Sequence, residues 1–274
     1  MKALKRIFDF YLDASIHVAF AIFSLVRVTR MTLDIPGNGH LEWFLFFGAI
    51  ACYNFVKYGV EAEKYILITD PHQKHIQWAS FMALALALYH GYFLSAEAYI
   101  VIAGLVALTG LYAIPVLPHT KNLRNLGGLK IFVVAMVWAG ATVLLPVIAA
   151  GHSISWDVGI ITLQRFLFVL ILMLPFEVRD LRYDSPELHT LPQRYGVMGT
   201  RIIGACAALP FFLLTLAKDT IGGPELLANG IVFLVLGMLM GITKKKQNRY
   251  FSSFWVEAIP ILWWGLLVLI SGML

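Results

Sequence analysis

The sequence predicts an all-α, polytopic membrane protein that forms a single domain of residues 1–274. Two observations carry this prediction. Hydrophobic residues make up 59% of the chain and charged residues only 14%, whereas a soluble domain carries roughly 25% charged residues. In addition, the apolar residues are gathered in long segments. So few charges could not cover a water-exposed surface, and this excludes an ordinary soluble fold.

Nine segments approach the roughly 20 apolar residues that a helix needs to cross the hydrocarbon core. The sequence therefore predicts nine transmembrane helices. Residues 1–13, which precede them, mix basic and acidic residues with apolar ones and predict a short amphipathic helix on the membrane surface. Cys52 and Cys206 are predicted to pack among other helices rather than to form a disulfide or bind a metal. The nine segments are residues 14–32, 41–58, 76–96, 98–117, 129–150, 158–178, 198–217, 225–243 and 251–273.

The distribution of Lys and Arg predicts the orientation of these helices. Seventeen of the 21 fall on the side of the N-terminus, Arg165 lies within a span, and three fall on the other side: Arg27, Arg30 and Lys218. The positive-inside rule then places the N-terminus in the cytoplasm. The net charge of +5 is explained by topology and by contact with membrane lipid. No basic patch is interleaved with stacking aromatics, so we expect no nucleic-acid partner.

Three acidic residues at the cytoplasmic end of the sixth segment are candidates for chemistry. Glu177, Asp180 and Asp184 have the spacing i, i+3, i+7 and would share one face of a helix. Carboxylates on one face repel each other unless a cation lies among them, and Mg²⁺ with substrate phosphates suits oxygen ligands of this kind. The alternative interpretation is a solvated helix end whose acids only balance Arg179 and Arg182.

The stretch from Glu177 to Gly196 resembles the second aspartate-rich motif of the UbiA superfamily of intramembrane prenyltransferases. That motif has the form D-x-x-D-x-x-x-D and is followed by T-L-P-x-x-x-G; here the tail is Thr190-Leu191-Pro192 and Gly196. The resemblance implies a nine-helix bundle in the cell membrane with its active side facing the cytoplasm. It also implies Mg²⁺ bound by Glu177, Asp180 and Asp184, with both aspartates catalytic. The implied reaction transfers a prenyl group from a polyprenyl diphosphate to an aromatic or other lipid-soluble acceptor.

The first motif of this family, N-D-x-x-D-x-x-x-D, is degenerate here. Its register reads Asn54, Phe55, Tyr58 and Ala62, so only the asparagine remains. Lys57 lies one turn from Asn54 on the same face. In one hypothesis Lys57 supplies catalytic positive charge while Asn54 and Tyr58 bind the substrate. In another these residues form an interfacial cluster in which Lys57 reaches toward lipid headgroups.

Further basic residues could hold the diphosphate. Lys130 opens the fifth segment and Arg194 follows the T-L-P turn, so both are predicted to bind substrate phosphate, whereas Lys121 and Arg124 would contact anionic lipid. Arg165 lies about 22 Å along the helix axis from Asp180, too far for diphosphate contact. We expect it to form a buried ion pair, for which Glu257 is one candidate partner.

The loss of the first motif leaves three functions open. The chain could transfer the prenyl group to an acceptor, or cyclise or hydrolyse a prenyl diphosphate without an acceptor. Alternatively, it could bind a polyprenyl lipid without catalysis.

Overall fold

The structure, a computed structural model, describes residues 2–59, 71–113 and 128–273. Three positions considered above, Ala62, Lys121 and Arg124, lie outside these residues. The described chain is helical and contains no strand. Its ten helices are α1 Lys2–Asp13, α2 Ile16–Thr32, α3 Gly39–Asn54, α4 Pro71–Gly91, α5 Ala96–Ala113, α6 Leu129–Ala149, α7 Trp156–Asp180, α8 Leu191–Ala217, α9 Gly223–Ile242 and α10 Phe251–Ser271.

Several of these helices are locally irregular. A π-helical turn, Phe55–Gly59, continues α3. A second one, Gly140–Leu144, interrupts α6, and a third, Phe251–Val256, opens α10 before a regular helix over Ile259–Ser271. Single π turns of this kind are frequent at functional sites in α-helices.

Six of the described helices, α5 to α10, are long and apolar enough to cross a membrane, and α1 with α2 makes a seventh if this pair, bent by 59°, is one span. The protein is therefore a multi-pass membrane protein. Every predicted segment contains a helix. However, α3 has only 16 residues and α4 opens with the polar run at residues 72–75. The count of nine spans and the cytoplasmic N-terminus stay predictions.

The core forms around α7, which passes through the middle of the bundle. Phe168 on this helix packs against Phe211 of α8 and Trp263 of α10, with ring centroids 5.7 and 4.9 Å away. At Gly204, α8 approaches its neighbours α7 and α9 closely. A methyl group added there would collide with Leu174 of α7 and Met240 of α9. Because α7 is packed along most of its length, its last turn is held in a fixed position.

The buried Arg165 of α7 has different partners from those predicted. Its Nη1 donates to the Leu25 carbonyl (2.9 Å) and to the Thr142 hydroxyl (3.0 Å), and its Nη2 donates to the Thr29 hydroxyl (3.3 Å). The guanidinium also lies over the Trp263 ring at 5.0 Å. The predicted ion pair with Glu257 is wrong, because no carboxylate in the described chain pairs with Arg165. The carbonyl and hydroxyls near the π turn of α6 solvate the charge instead.

The helix directions divide the bundle into two ends. We call the end at which α7 finishes, at Asp180, the acidic end, and the end at which α7 begins, at Trp156, the opposite end. Cys52 and Cys206 are exposed on the outer surface of their helices, so the prediction that they are packed inside is wrong. A helix hydrophobic on all sides gives no sequence signal for which side faces lipid.

Candidate active site

The three acids of the motif lie around the end of α7. The helix finishes at Asp180, one turn earlier than an unbroken helix through all three acids would require. The chain then makes a further turn in which the Asp184 N–H donates to the Asp180 carbonyl at 2.9 Å. Asp184 thus follows the helix instead of lying on it, and tertiary contacts decide whether it meets the other two acids.

Lys130 brings Glu177 and Asp184 together. Its Nζ lies 2.8 Å from Glu177 Oε1 and 3.4 Å from Asp184 Oδ2. The Glu177 side chain is only 2% exposed, while those of Lys130 and Asp184 are each 16% exposed. The second oxygen of Glu177 is buried and has no partner among the described residues. Two carboxylates thus share one ammonium, and the group keeps a net negative charge.

Asp180 is neutralised by a different cation. Arg179 binds it through two contacts, Nε to Oδ1 at 2.7 Å and Nη2 to Oδ2 at 3.1 Å. Both side chains are 32% exposed, so solvent weakens this pair. Within residues 2–59, 71–113 and 128–273, no three His, Cys, Asp or Glu side chains are placed to hold one metal ion.

The T-L-P-x-x-x-G tail fixes the chain that follows the acids. The Thr190 N–H donates to the Gln193 side chain at 3.0 Å, and Gln193 in turn donates to the Ser185 carbonyl at 3.0 Å. Pro192 occupies the first turn of α8, where its missing N–H costs nothing. Gly196 has φ +69° and ψ 174°, a conformation that L-residues rarely adopt. Thr190, Pro192 and Gly196 therefore each have a structural role at the start of α8.

Arg194 lies on the first turn of α8. Its side chain is exposed, and it has no hydrogen bond or ion pair to any part of the chain that the structure describes. It is therefore free to bind an anion at the acidic end.

Asn54 is completely buried and its amide is engaged on every side. Its Nδ2 donates to the Ala14 carbonyl (3.0 Å) and to the Ser80 hydroxyl (2.9 Å), while its Oδ1 accepts from the Ser15 hydroxyl (2.8 Å). Both amide hydrogens are used, so the side chain has none left for a phosphate. Asn54 instead joins α3 to α4 and to the junction between α1 and α2.

Lys57 and Tyr58 lie against the end of α1. Lys57 Nζ and the Tyr58 hydroxyl both donate to the backbone carbonyl of Asp13, at 3.2 and 3.3 Å. The Asp13 carboxylate contacts His72 at 3.3 Å and Arg249 at 3.2 Å. The helix α1 is thereby tied to the starts of α4 and α10, at the place where the family's first motif would stand.

A second contact holds α1 to the start of α10. The Tyr250 hydroxyl donates to Asp9 Oδ1 at 2.8 Å, and this hydrogen bond raises the pKa of Tyr250 above its usual value. The phenol therefore stays protonated and keeps donating at neutral pH. Sequence reasoning missed this role of α1, because contacts across more than 200 residues leave no local signal.

Glu257 is a further acidic residue, which lies outside both motifs. It is half-buried and lies between the π-helical and regular parts of α10. The chain enters α10 beside the last turns of α7, where Gln247 Nε2 donates to the Pro175 carbonyl at 2.9 Å, so Glu257 lies in the half of α10 toward the acidic end. The sequence signal that could have identified Glu257 is a carboxylate within an apolar span. Such residues are costly to place in a membrane and are commonly functional.

The donor set suits Mg²⁺. This ion is usually held by one or two carboxylates together with substrate phosphates and water. Glu177 and Asp184 are two such carboxylates, and the unpartnered Glu177 oxygen is available as a ligand. Asp180 would become a third ligand on releasing its contact with Arg179.

An apolar groove of about 480 Å³ lies between α5, α6 and α7. Its residues on α6 include Met136, Ala139 and Gly140. These are rotated by roughly 180–280° around the helix from Lys130, at about 100° per residue. The groove therefore opens on the side of α6 away from Lys130, and we assign it no part in the acidic site.

Comparison with known proteins supports the architecture. No protein-family model and no curated protein matches the chain. Several solved structures are similar over nearly the whole length, among them the following three. A UbiA homologue from Aeropyrum pernix K1 has 16% identity and a TM-score of 0.65, with 94% of this chain and 99% of that one covered. A UbiA homologue from Archaeoglobus fulgidus bound to DMAPP and Mg²⁺ has 13% identity and a TM-score of 0.60. The similarity covers 96% of this chain and 99% of the homologue.

The third, a digeranylgeranylglyceryl phosphate synthase, has 15% identity and a TM-score of 0.58, with all of both chains covered. At such identities the likeness concerns the path of the backbone. The fold that the acidic motif and its tail predict is thus confirmed: this chain has the same fold as these UbiA homologues.

Proposed function

We propose that the protein transfers a prenyl group from a polyprenyl diphosphate to an aromatic or other lipid-soluble acceptor with the help of Mg²⁺. One observation carries the proposal: the buried Glu177 and the half-buried Asp184 share a single lysine at the end of the central helix. The fold adds support, because one UbiA homologue with this fold was solved with DMAPP and Mg²⁺.

The resting contacts suggest how the residues act when substrate enters. Without substrate, Lys130 pairs with Glu177 and Asp184, and Arg179 pairs with Asp180. On arrival of the diphosphate they would exchange these carboxylates for phosphate oxygens. Glu177, Asp184 and Asp180 would then hold Mg²⁺, which when bound neutralises charge on the departing diphosphate. Each well-placed donor in a water-excluded site contributes several kcal/mol to such stabilisation.

The other cations of the acidic end would add to this electrostatic field. Arg194 is exposed and unpaired, and Lys57 is exposed and held only by a backbone carbonyl and the Tyr58 ring. Neither has to break a salt bridge within the described chain before it meets a phosphate. In this proposal they compensate in part for the carboxylates missing from the first motif, while Tyr58 keeps Lys57 in place.

The proposed location is the cell membrane, with the acidic end facing the cytoplasm. The excess of Lys and Arg on this side supports the orientation. The enzyme would take both substrates from the lipid phase.

Release of diphosphate tests the proposal. Purified protein is incubated with Mg²⁺ and dimethylallyl, geranyl or geranylgeranyl diphosphate, and diphosphate and prenylated products are measured. We expect release by the parent protein and loss of release in Asp184→Asn. The matched control is Asp219→Asn, an exposed aspartate at the opposite end, which should release diphosphate like the parent. Equal release by Asp184→Asn and the parent would contradict the site assignment.

One observation favours a second candidate, a protein that binds or hydrolyses prenyl diphosphates without transfer. The position of the first motif holds Lys57 and Tyr58 bound to the end of α1, and its described residues, 54–59, include no carboxylate. The same assay separates the functions: release without a prenylated product indicates hydrolysis or cyclisation. Saturable binding without release indicates a carrier.

A further inference from the structure

Two arginines at the opposite end share one buried carboxylate. Arg27 and Arg30 lie in the last turns of α2, and Glu42 lies in the first turn of α3. Ile35, which follows α2, belongs to one apolar cluster with Val158 in the first turn of α7, so this group is at the opposite end. Arg27 Nη1 is 3.3 Å from Glu42 Oε2 and 3.4 Å from Oε1, and Arg30 Nη1 contacts the same Oε1. Two cations therefore depend on one acid.

The two arginines differ in how many of their donors the chain uses. Arg30 also donates through Nε to the Ile35 carbonyl at 3.4 Å, and a methyl group added at Gly37 would collide with its guanidinium. Arg30 is thereby held against the loop between α2 and α3. In Arg27 only Nη1 has a partner among the described residues, while Nε is buried without an acceptor. Arg27 is thus the cation with unused donors.

The unused donors of Arg27 form one edge of its guanidinium. Nε and Nη2 point the same way, and such an edge binds two oxygens of one anion. Arg179 uses these same two atoms to bind both oxygens of Asp180. The Arg27 guanidinium lies over the Trp264 ring at 5.7 Å, and Trp264 Nε1 is also buried without an acceptor in the described chain. Because buried donors nearly always have a partner, these neighbouring groups indicate a missing oxygen anion.

The surroundings of Arg27 are those of a lipid headgroup. The Phe23 ring lies 5.6 Å from the Trp43 ring and 6.0 Å from the Trp264 ring. Trp43 is 42% exposed, and in a membrane protein tryptophan is enriched at the level of the headgroups. The Arg27 side chain is 35% exposed and lies about 7.5 Å along the helix axis from the end of α2. An anion that reaches it therefore comes from the edge of the lipid layer.

We propose that Arg27, with Arg30 beside it, binds the phosphate of a membrane phospholipid whose acyl chains lie along the neighbouring aromatic rings. A phosphate diester supplies the oxygen pair that the free edge of Arg27 lacks. Asp34, the next acid along the chain, is exposed and pairs with neither arginine, so it does not occupy this edge. The inference is independent of the proposed function, because the site lies at the other end of the bundle.

The source of the phosphate is tested with three probes. The purified protein in neutral detergent is titrated with dioleoylphosphatidylglycerol, with dioleoylglycerol, which has the same chains and no phosphate, and with inorganic phosphate. The thermal unfolding midpoint and native mass spectrometry report binding. We expect saturable binding of the phospholipid alone. Equal binding of dioleoylglycerol would overturn the role of the phosphate, and equal binding of inorganic phosphate would overturn the lipid as its source.

Variants of the arginine locate the site. Arg27→Gln should weaken binding of dioleoylphosphatidylglycerol about tenfold, the scale of one hydrogen bond to a charged group. The contact of Arg30 with Glu42 remains in this variant and keeps α2 joined to α3. Arg27→Lys should bind with intermediate strength, because lysine keeps the charge but lacks the two-atom edge. The matched control, Lys245→Gln, removes an exposed cation at the acidic end and should bind like the parent.

Glu42→Gln separates lipid binding from a purely structural ion pair. It keeps the shape of the side chain but removes the carboxylate that competes for Arg27. Affinity for dioleoylphosphatidylglycerol should therefore rise about threefold, the effect of losing a weak competing ion pair, although the unfolding midpoint without lipid falls. Weaker binding by Glu42→Gln overturns the inference. So does unchanged binding by Arg27→Gln, or an equal loss in Lys245→Gln, which would show that binding follows total charge.

Discussion

The two ends of the bundle treat their buried charges differently. At the opposite end, Lys218 and Glu225 form a one-to-one pair at 2.7 Å, with side chains only 1% and 7% exposed. Asp157 nearby accepts from two backbone N–H groups and the Thr220 hydroxyl. At the acidic end, Glu177 and Asp184 compete for one lysine. At the opposite end each acid thus has its own set of partners, whereas at the acidic end two acids share one cation.

An unpartnered oxygen alone does not distinguish the ends, since Glu225 has one as well as Glu177. The difference lies in what holds the second acid: Asp157 accepts hydrogen bonds from backbone N–H groups and the Thr220 hydroxyl, whereas Asp184 contacts the same Lys130 as Glu177. A lysine shared by two carboxylates leaves one negative charge uncompensated, and a divalent cation can bind there and compensate it. A closed pair such as Lys218 with Glu225 has no such capacity. We infer that the acidic end is built for exchange of partners and the opposite end for stability.

The largest expected effect is on turnover at the acidic end. Glu177→Gln keeps the shape of the side chain but removes its charge, so we expect diphosphate release to fall about a thousandfold, or about 4 kcal/mol. Steady-state assays with geranyl diphosphate measure this. Chelation of Mg²⁺ should slow the parent similarly and slow Glu177→Gln little further. An unchanged rate in the variant would place the chemistry elsewhere.

The next effect is on stability at the opposite end. Lys218→Met leaves Glu225 buried without its cation, which should cost about 3 kcal/mol. The thermal unfolding midpoint in detergent should fall, whereas diphosphate release below that midpoint should match the parent. Loss of activity without loss of stability would show that the two ends do not divide these roles.

A smaller effect is expected from the buried amide of α3. Asn54→Ala leaves the Ser15 hydroxyl without its acceptor and the Ala14 carbonyl without this donor, and an unsatisfied buried group of this kind costs roughly 1–3 kcal/mol. We expect a lower unfolding midpoint and an unchanged KM for geranyl diphosphate, because the amide has no hydrogen left for substrate. A large rise in KM with normal stability would restore Asn54 as a binding residue.

The smallest effect should come from the tail of the motif. Gly196→Ala forces an L-residue into φ +69°, which costs about 1–2 kcal/mol. No atom lies within 4 Å of the added methyl group, so backbone strain is the only penalty. Thermal unfolding in detergent measures the loss. A variant as stable as the parent would indicate that the break at Gly196 can relax.

Much of the fold could be predicted from the sequence. Apolar runs are local signals, and each predicted segment contains a helix. The irregular turns could not be predicted, because the π turns of α6 and α10 depend on packing against neighbouring helices. For the site, spacing identified Glu177, Asp180 and Asp184. It could not show that Asp184 lies beyond the helix or that Asp180 pairs with Arg179.

The sequence by itself determined the membrane-spanning helical class, the acidic motif with its capped tail, and the loss of the first motif. All three depend on residues close together in the chain. Only the tertiary structure decided which groups meet. It joined Lys130 to acids about 50 residues away, buried Asn54 as an anchor, held Lys57 and Tyr58 to Asp13, and left Glu257 without a direct partner. Such contacts depend on which helix faces are turned toward each other, and helices that are apolar on all sides do not record this in their sequence.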